Sequence, residues 1–199
     1  MRIGIMGGTF NPPHPGHINA AVAAREELSL SRLIFIPSSL PPHKKISENS
    51  ASTEQRLFMT KLCAESISAE VSDMEIVRGG TSYTVETLSE LKKEYPDDEL
   101  WFIMGTDMFL SIENWREPEK IFSLCSIAAV PRNDDDREKL INHGKYLSER
   151  YGTVSKVMKK DAIDISSSEL REKIANGETK EFLPEAVYQY ILKEGLYGV

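Results

Sequence analysis

The sequence has little cysteine, no long apolar run and no excess of basic residues, and each absence excludes a class of protein. Its two cysteines, Cys63 and Cys125, lie in apolar surroundings without metal-ligand spacing. We therefore expect buried free thiols rather than a disulfide framework or a zinc site. No run approaches the roughly 18 apolar residues of a transmembrane helix. One arginine followed by glycines does not resemble a signal peptide, so we expect a cytoplasmic protein without a membrane partner.

Acidic residues outnumber basic ones, with 31 Asp and Glu against 24 Lys and Arg and a net charge of −7. Nucleic-acid polymers select basic surfaces, so DNA or RNA is not expected as the main partner. A small nucleotide stays compatible, because it needs only a locally basic pocket. The 199 residues, 40% of them apolar, suit one domain with a sizeable core. The sequence leaves open whether copies of the chain form a homo-oligomer.

Short apolar runs alternate with helical stretches along the chain. Strands are predicted at 2–7, 32–37, 74–77, 99–104, 125–131 and 153–159. Helices are predicted at 17–28, 53–67, 84–95, 134–150, 166–175 and 184–194. This alternation indicates an α/β fold with a doubly wound parallel sheet, in which ligands sit at the carboxyl ends of the strands.

Several local signals refine this outline. Ser52 with Gln55, and Ser166 with Glu169, fit capping boxes at helix starts. Segment 38–52 is predicted as a long polar loop, of a length that often binds ligands. We expect a single domain over 1–199, with 166–199 as a small C-terminal helical appendage.

The first predicted strand ends in two glycines, and a proline-rich loop follows, giving GGTFNPPHPGH at 7–17. Glycines let a ligand approach the backbone closely, because they have no Cβ. The loop leads into a helix beginning near His17, and a helix N-terminus attracts phosphate through its N–H groups and dipole. His14 and the hydroxyl of Thr9 add further donors. The spacing is neither that of a P-loop nor that of G-x-G-x-x-G, so both of these common fingerprints are missing.

This stretch resembles the G-G-[ST]-F-[DN]-P-x-H-x-G-H signature of the nucleotidylyltransferase superfamily. Later motifs follow in the order found in bacterial nicotinate mononucleotide adenylyltransferases, which the chain resembles nearly end to end: PPHK at 41–44, TSYT at 81–84, GTD at 105–107, Trp115, ISSSELR at 165–171 and LPEAVYQYILKEGLY at 183–197. Asn11 and Ser168 depart mildly from the usual Asp and Thr. The resemblance implies a Rossmann-like nucleotidylyltransferase fold.

The resemblance also implies an enzyme that converts ATP and nicotinate mononucleotide to deamido-NAD and pyrophosphate. The acceptor phosphate is already anionic and would attack the α-phosphate of ATP in line, so positioning and electrostatic stabilisation suffice without a protein base. The implied catalytic residues are His14, His17 and Arg171. The implied cofactor is Mg²⁺, held mainly by phosphate oxygens and water, with no protein metal ligand named.

Two sets of binding residues follow from the same resemblance. The set for ATP comprises Gly7, Gly8, Thr9, Phe10, His14, His17, Lys44, Gly105, Asp107, Ile165, Ser167 and Arg171. The set for nicotinate mononucleotide comprises Thr81, Ser82, Tyr83, Thr84 and Trp115. Backbone N–H groups at a helix start would receive the nicotinate carboxylate, and the indole face would receive the ring.

Structural roles stay open beside these functional ones. Asp107 and Thr81 suit helix caps, Tyr83 and Trp115 suit core positions, and Lys44 suits a solvated loop. Two other functions also stay open. One is transfer to a different phosphate acceptor by a member of the same superfamily, and the other is a nucleotide-binding regulator that has lost turnover.

Overall fold

The structure, a computed structural model, describes residues 1–42, 50–163, 165–178 and 183–199. In chain order its elements are β1 (Arg2–Gly8), α1 (Pro15–Leu28), β2 (Arg32–Pro37), α2 (Thr53–Glu65), β3 (Glu70–Val71), α3 (Met74–Arg78), α4 (Thr84–Glu94), β4 (Glu99–Gly105), α5 (Thr106–Leu110), α6 (Pro118–Leu124), β5 (Ser126–Val130), α7 (Asp134–Tyr151), β6 (Ser155–Val157), α8 (Ser167–Ala175) and α9 (Glu185–Glu194). Short 3₁₀ turns lie at Ile112–Asn114 and Leu196–Gly198.

The strands form one six-stranded sheet in the order β3-β2-β1-β4-β5-β6. Strand β1 pairs with β4, β4 with β5 and β5 with β6, all in parallel. Chain order reverses between β1 and β4, where Ile5 lies opposite Phe102. Ligands of doubly wound sheets bind outside the carboxyl ends of the strands at such a reversal. The predicted α/β fold with a parallel sheet is confirmed.

The strands form because their apolar runs are covered on both faces. Four consecutive residues of β1 and five of β4 are buried, as parallel strands between two helical layers require. Both predicted capping boxes are present, with Ser52 capping α2 and Ser166 capping α8. Each such cap contributes roughly 1 kcal/mol. At α8, the hydrogen bonds from Ser166 hold the pKa of Glu169 below its usual range, so this carboxylate stays charged.

One predicted strand is wrong: residues 74–77 begin helix α3. A four-residue apolar run cannot distinguish a strand from a helical turn. Here Glu75 is buried while Val77 is 77% exposed, so the buried face differs from the apolar pattern. The predicted strand at 153–159 shrinks to β6, and the short elements β3, α5 and α6 were not predicted as such.

The chain forms two compact units. The first unit comprises Met1–Gly7, Asn19–Ile34 and Tyr83–Ile163, and the second comprises Gly8–Ile18, Phe35–Ser82 and Asp164–Val199. In the second unit, α2, α8 and α9 share a core that includes Met59, Cys63, Leu170, Ile174, Val187, Ile191 and Tyr197. Within the parts of the chain that the structure describes, no helix has the length and apolar character needed to cross a membrane.

Candidate active site

The loop after β1 contains a phenylalanine in an unusual backbone conformation. Phe10 is buried and has φ of 49°, a left-handed value that costs a non-glycine residue roughly 1–3 kcal/mol. Its ring packs on Phe35, with centroids 5.6 Å apart. A Cβ added to Gly8 would lie 3.1 Å from this ring. The second glycine of the motif is therefore needed to make room for Phe10.

The histidine at the end of the loop and the one in the first turn of α1 lie close together, with their rings tilted by 37°. The ring centroids of His14 and His17 are 3.7 Å apart, and the rings of Phe10 and His17 meet in a T-shaped pair with centroids 4.9 Å apart. The backbone N–H of His14 donates to Nδ1 of His17 over 3.2 Å. Because Nδ1 can accept only without a proton, neutral His17 carries its proton on Nε2. The loop thus sets the tautomer that offers a donor from the far side of the ring.

Helix α8 contacts the same loop through backbone carbonyls. Ser167 Oγ donates to the Pro12 carbonyl over 3.0 Å, and Arg171 Nη1 donates to the Asn11 carbonyl over 2.8 Å. The Arg171 guanidinium also donates to the carbonyl of Ser167 at 3.2 Å and to Ser168 Oγ at 3.1 Å. Among the described residues, no carboxylate forms an ion pair with Arg171. Neutral oxygens alone therefore face its charge, as suits a cation that receives an anionic ligand.

Asn11 links the loop to the end of the chain. Its Oδ1 accepts from the Tyr197 hydroxyl over 2.7 Å, and its Nδ2 donates to Ser50 Oγ over 3.1 Å. Burial raises the pKa of Tyr197 far above its usual range, so the hydroxyl remains a donor. The sequence marked Asn11 only as a departure from a family motif, whereas the structure shows its side chain holding two segments to the loop.

Two further predicted ligands of ATP lie at the end of β4 and in the helix that follows it, both in the first unit. Gly105 precedes α5, and Asp107 lies in its first turn with a 79% exposed side chain. Asp107 pairs with Arg132 over 3.0 Å, and Arg132 also donates to Asp136 over 2.9 Å. That hydrogen bond holds the pKa of Asp136 below its usual range. Asp107 is not the N-cap of α5, since Gly105 occupies that position.

In the second unit, residues 81 and 82 pair with the segment after β2. Thr81 forms a parallel bridge with Leu40, and the Ser82 N–H donates to the Leu40 carbonyl over 2.8 Å. Ser82 is buried, and its Oγ accepts from the Ser39 N–H over 2.9 Å. Thr81 is exposed and caps no described helix, so its alternative role as a cap is wrong.

The remaining residues of the predicted acceptor site belong to the first unit. Tyr83 is the N-cap position of α4, and Thr84 is the first helical residue. The guanidinium of Arg116 lies 4.5 Å from the Tyr83 ring centroid and pairs with Glu86 over 3.1 Å. Trp115 is half-buried and meets Phe102 edge to face at 6.3 Å. Part of the indole surface therefore remains exposed outside the core.

The structure thus gathers Gly8, Thr9, Phe10, His14, His17, Ser167 and Arg171 around one loop of the second unit. Ile165 is half-buried and packs against the core of that unit. Gly7 ends the first unit's part of β1. The prediction for Lys44 lies outside the described residues. No three His, Cys, Asp or Glu side chains within the described ranges are grouped so as to hold a metal ion.

Sequence reasoning missed Arg56, which is completely buried. It donates to the Thr9 carbonyl over 2.8 Å and to the Ser39 carbonyl over 3.0 Å. A signal for it was present, because Arg56 lies on the same face of α2 as Met59 and Cys63, both buried core residues. A charged residue in an apolar helical stripe marks a buried cation with specific partners.

Comparison with known proteins gives consistent matches. Residues 5–173 match the model of a family described as cytidylyltransferase-like. A protein of Lachnoclostridium phytofermentans named "Probable nicotinate-nucleotide adenylyltransferase" is 39% identical, over 98% of this chain and 98% of its own length. A protein of the same name from Citrifermentans bemidjiense is 40% identical, over 99% and 98% of the two chains.

Solved structures give the same fold. Plasmodium falciparum nicotinic acid mononucleotide adenylyltransferase complexed with NaAD aligns with a TM-score of 0.77, covering 98% of this chain and 97% of that one, at 19% identity. Its complex with APC aligns with a TM-score of 0.75, covering 98% and 96%, at 18% identity. At this level of identity the likeness concerns the fold alone.

Proposed function

This chain belongs to the cytidylyltransferase-like family and, within it, to the nicotinate-nucleotide adenylyltransferases, and from that premise we propose how its residues carry out the reaction. ATP and nicotinate mononucleotide give deamido-NAD and pyrophosphate. The acceptor phosphate attacks the α-phosphate of ATP directly and in line. The observation that carries this proposal is the gathering of hydrogen-bond donors around one loop of the second unit.

The triphosphate of ATP binds at that loop. His14 and His17 lie at the start of α1, where helix N–H groups and the helix dipole favour an anion. Arg171 and Ser167 reach the same loop from the first turns of α8. Gly7, Gly8, Thr9 and Phe10 form the backbone beside the phosphates. When ATP binds, Arg171 exchanges neutral carbonyl partners for phosphate oxygens, and such charge-assisted bonds are about twice as strong.

Direct attack by the acceptor phosphate needs no nucleophile from the protein. Burial raises the pKa of both Cys63 and Cys125 to about 12, so neither thiol forms a reactive thiolate near neutral pH. The acceptor phosphate is already anionic and needs no base. Catalysis then consists of orientation and of stabilising the negative charge that grows on the departing pyrophosphate. The Nε2 proton of His17 is the donor that we assign to this task.

The other predicted ATP ligands lie away from this loop in the sequence. We propose that Gly105 and Asp107, at the end of β4, bind the nucleoside of ATP. The Asp107 carboxylate accepts from Arg132 through one oxygen, and its second oxygen suits a ribose hydroxyl. Ile165 precedes α8 and contributes apolar contact, and Lys44 adds a cation for the phosphates.

Nicotinate mononucleotide is proposed to bind at residues 81–84 and Trp115. The Ser82 N–H is already bonded to the Leu40 carbonyl, so the donors for the nicotinate carboxylate are those that begin α4 at Tyr83 and Thr84. The partly exposed indole of Trp115 stacks on the pyridine ring. An acid group suits this helix start better than an amide does.

Magnesium is proposed to enter the site with ATP. The donor set fits, because His14, His17 and Arg171 supply hydrogen-bond donors for phosphate oxygens and leave other phosphate oxygens, with water, as the ligands that Mg²⁺ commonly keeps. When bound, the ion neutralises part of the triphosphate charge. We also propose that the protein carries out this reaction in the cytoplasm.

The test is product formation from a panel of acceptors. Purified protein with ATP, Mg²⁺ and nicotinate mononucleotide should release pyrophosphate and form a dinucleotide. Pyrophosphate release with pantetheine phosphate or a phospho-alcohol, but not with nicotinate mononucleotide, would instead support another acceptor. Nucleotide binding by a folded protein without pyrophosphate release on any acceptor would support a regulator that has lost turnover.

A further inference from the structure

Arg56 is a buried cation, and Glu54 of the same helix acts on it only through its electrostatic field, with no hydrogen bond between their side chains among the described residues. Its exposed fraction is 0%, and no carboxylate among the described residues forms an ion pair with it. Nε has no hydrogen-bond partner within the described part of the chain. Burial lowers the pKa of the guanidinium, because the surrounding core disfavours its charged form. A buried charge in this situation costs stability that an apolar side chain on the core face of α2 would not.

The guanidinium holds two loops at once. Nη1 donates to the carbonyl of Thr9 over 2.8 Å, one residue before Phe10 with its left-handed φ. Both residues belong to the segment 8–17 proposed to bind the triphosphate, which we call the phosphate loop. Nη2 donates to the carbonyl of Ser39 over 3.0 Å, in the segment after β2. The two donors diverge from one rigid plane, so they fix the distance between these carbonyls. A lysine ammonium is a single point and has no such fork.

The Ser39 contact continues to the proposed acceptor segment. The Ser39 N–H donates to Ser82 Oγ, and the Ser82 N–H donates to the Leu40 carbonyl. Through these hydrogen bonds, the Arg56 side chain is joined to the phosphate loop and to the segment at 81–82. All of these contacts lie within the second unit.

We propose that Arg56 is a positioning residue that holds the phosphate loop and the acceptor segment at the spacing required for adenylyl transfer. This inference rests on the proposed function. It also explains why a costly buried arginine occupies the apolar face of α2. Arg56 touches neither substrate and acts through the carbonyls of Thr9 and Ser39.

The experiment compares Arg56→Lys and Arg56→Ala with the wild type. Arg56→Lys retains the charge and loses the fork, so kcat/KM should fall at least tenfold for both ATP and nicotinate mononucleotide. The kcat/KM of Arg56→Ala should fall further. Millimolar methylguanidinium should restore part of the activity of this variant, whereas methylammonium, which has the same charge, should not. Calorimetric titration with ATP alone should show at least fivefold weaker binding to Arg56→Lys.

A matched control separates positioning from stability. Met59→Ala removes a buried core side chain from the same helix, and Met59 makes no hydrogen bond to Thr9 or Ser39, so the change should lower Tm and leave kcat/KM within twofold of wild type. All assays are run at a temperature where circular dichroism shows each variant folded.

The inference would be overturned if folded Arg56→Lys kept kcat/KM within twofold of the wild type, or if Arg56→Lys and Met59→Ala lost kcat/KM equally. Restored activity of Arg56→Ala in methylammonium would overturn it as well. A loss confined to ATP would refute the link to the acceptor segment. Failure of the wild type to make any dinucleotide contradicts the proposed function instead, and the ATP titration still tests Arg56 in that case.

Discussion

Replacing Tyr197 by phenylalanine tests whether the end of the chain holds the phosphate loop in place. The change removes one oxygen atom and leaves the aromatic ring in the core of the second unit. That oxygen donates to Asn11 Oδ1 over 2.7 Å, and both residues are less than 10% exposed. The same Asn11 offers its backbone carbonyl to Arg171 over 2.8 Å. Losing the bond should therefore affect both stability and ATP binding.

The expected loss of unfolding free energy follows from the burial of this hydrogen bond. A neutral hydrogen bond contributes a net 0.5–1.5 kcal/mol or so, and a buried acceptor left without a donor costs roughly 1–3 kcal/mol. Asn11 is 6% exposed, so water replaces the hydroxyl poorly. We expect Tyr197→Phe to lose about 1–2 kcal/mol of unfolding free energy. For a chain of this size, that lowers Tm by about 2–8 °C.

The assay is a double-mutant cycle by urea and thermal unfolding. Wild type, Tyr197→Phe, Asn11→Ala and the double variant should give a coupling energy of about 1 kcal/mol, because the two groups meet directly. Tyr190→Phe is the matched control. Its hydroxyl makes no hydrogen bond within the described residues, and its ring packs on Phe58, so its stability should stay within about 0.5 kcal/mol of wild type.

Kinetics complete the test. A less firmly held Asn11 should raise the KM for ATP a few-fold in Tyr197→Phe and leave it unchanged in Tyr190→Phe. Wild-type stability in Tyr197→Phe, or coupling near zero in the cycle, would refute the reasoning. The hydroxyl contact would then be incidental to the position of the loop.

The remaining predictions concern the chemistry. His17→Ala should lower kcat by about 10²–10³, since its bond strengthens as charge develops, and a change of only a few-fold would remove it from the catalytic set. Arg171→Ala should mainly raise the KM for ATP, and unchanged kinetics would make its role structural. Nicotinate mononucleotide should exceed its amide by about a hundredfold in kcat/KM, because unpaired polar groups cost roughly 1–3 kcal/mol each, while Trp115→Ala should impair both acceptors about equally. Equal use of acid and amide would refute the donor pocket at α4. Cys63 and Cys125, with pKa values raised to about 12, should resist iodoacetamide at pH 8 until the protein unfolds. Burial of the two protonated thiols stabilises the fold fully below pH 9, and this contribution declines as pH rises toward 12, because the thiols of the unfolded chain ionise first. Rapid alkylation of the native protein would contradict this burial.

Much of the fold could be predicted because its signals are local. The strands β1, β2 and β4 are apolar runs whose burial needs no knowledge of partners, and the capping boxes at Ser52 and Ser166 involve residues three apart. The error at 74–77 has the opposite cause. Whether Val77 or Glu75 faces the interior depends on which residues pack against α3. A four-residue pattern holds no information about those residues.

The candidate site divides in the same way. The motif at 7–17 by itself predicted a phosphate-binding loop after β1, since glycines, histidines and a helix start are chemical features of neighbouring residues. The tertiary structure alone decided what holds that loop. Arg56 lies 47 residues from Thr9, Arg171 lies 160 from Asn11, and Tyr197 lies 186 from Asn11. Contacts across such separations leave no periodicity in the sequence, because they arise only after the α2–α8–α9 core has brought distant segments into hydrogen-bond range.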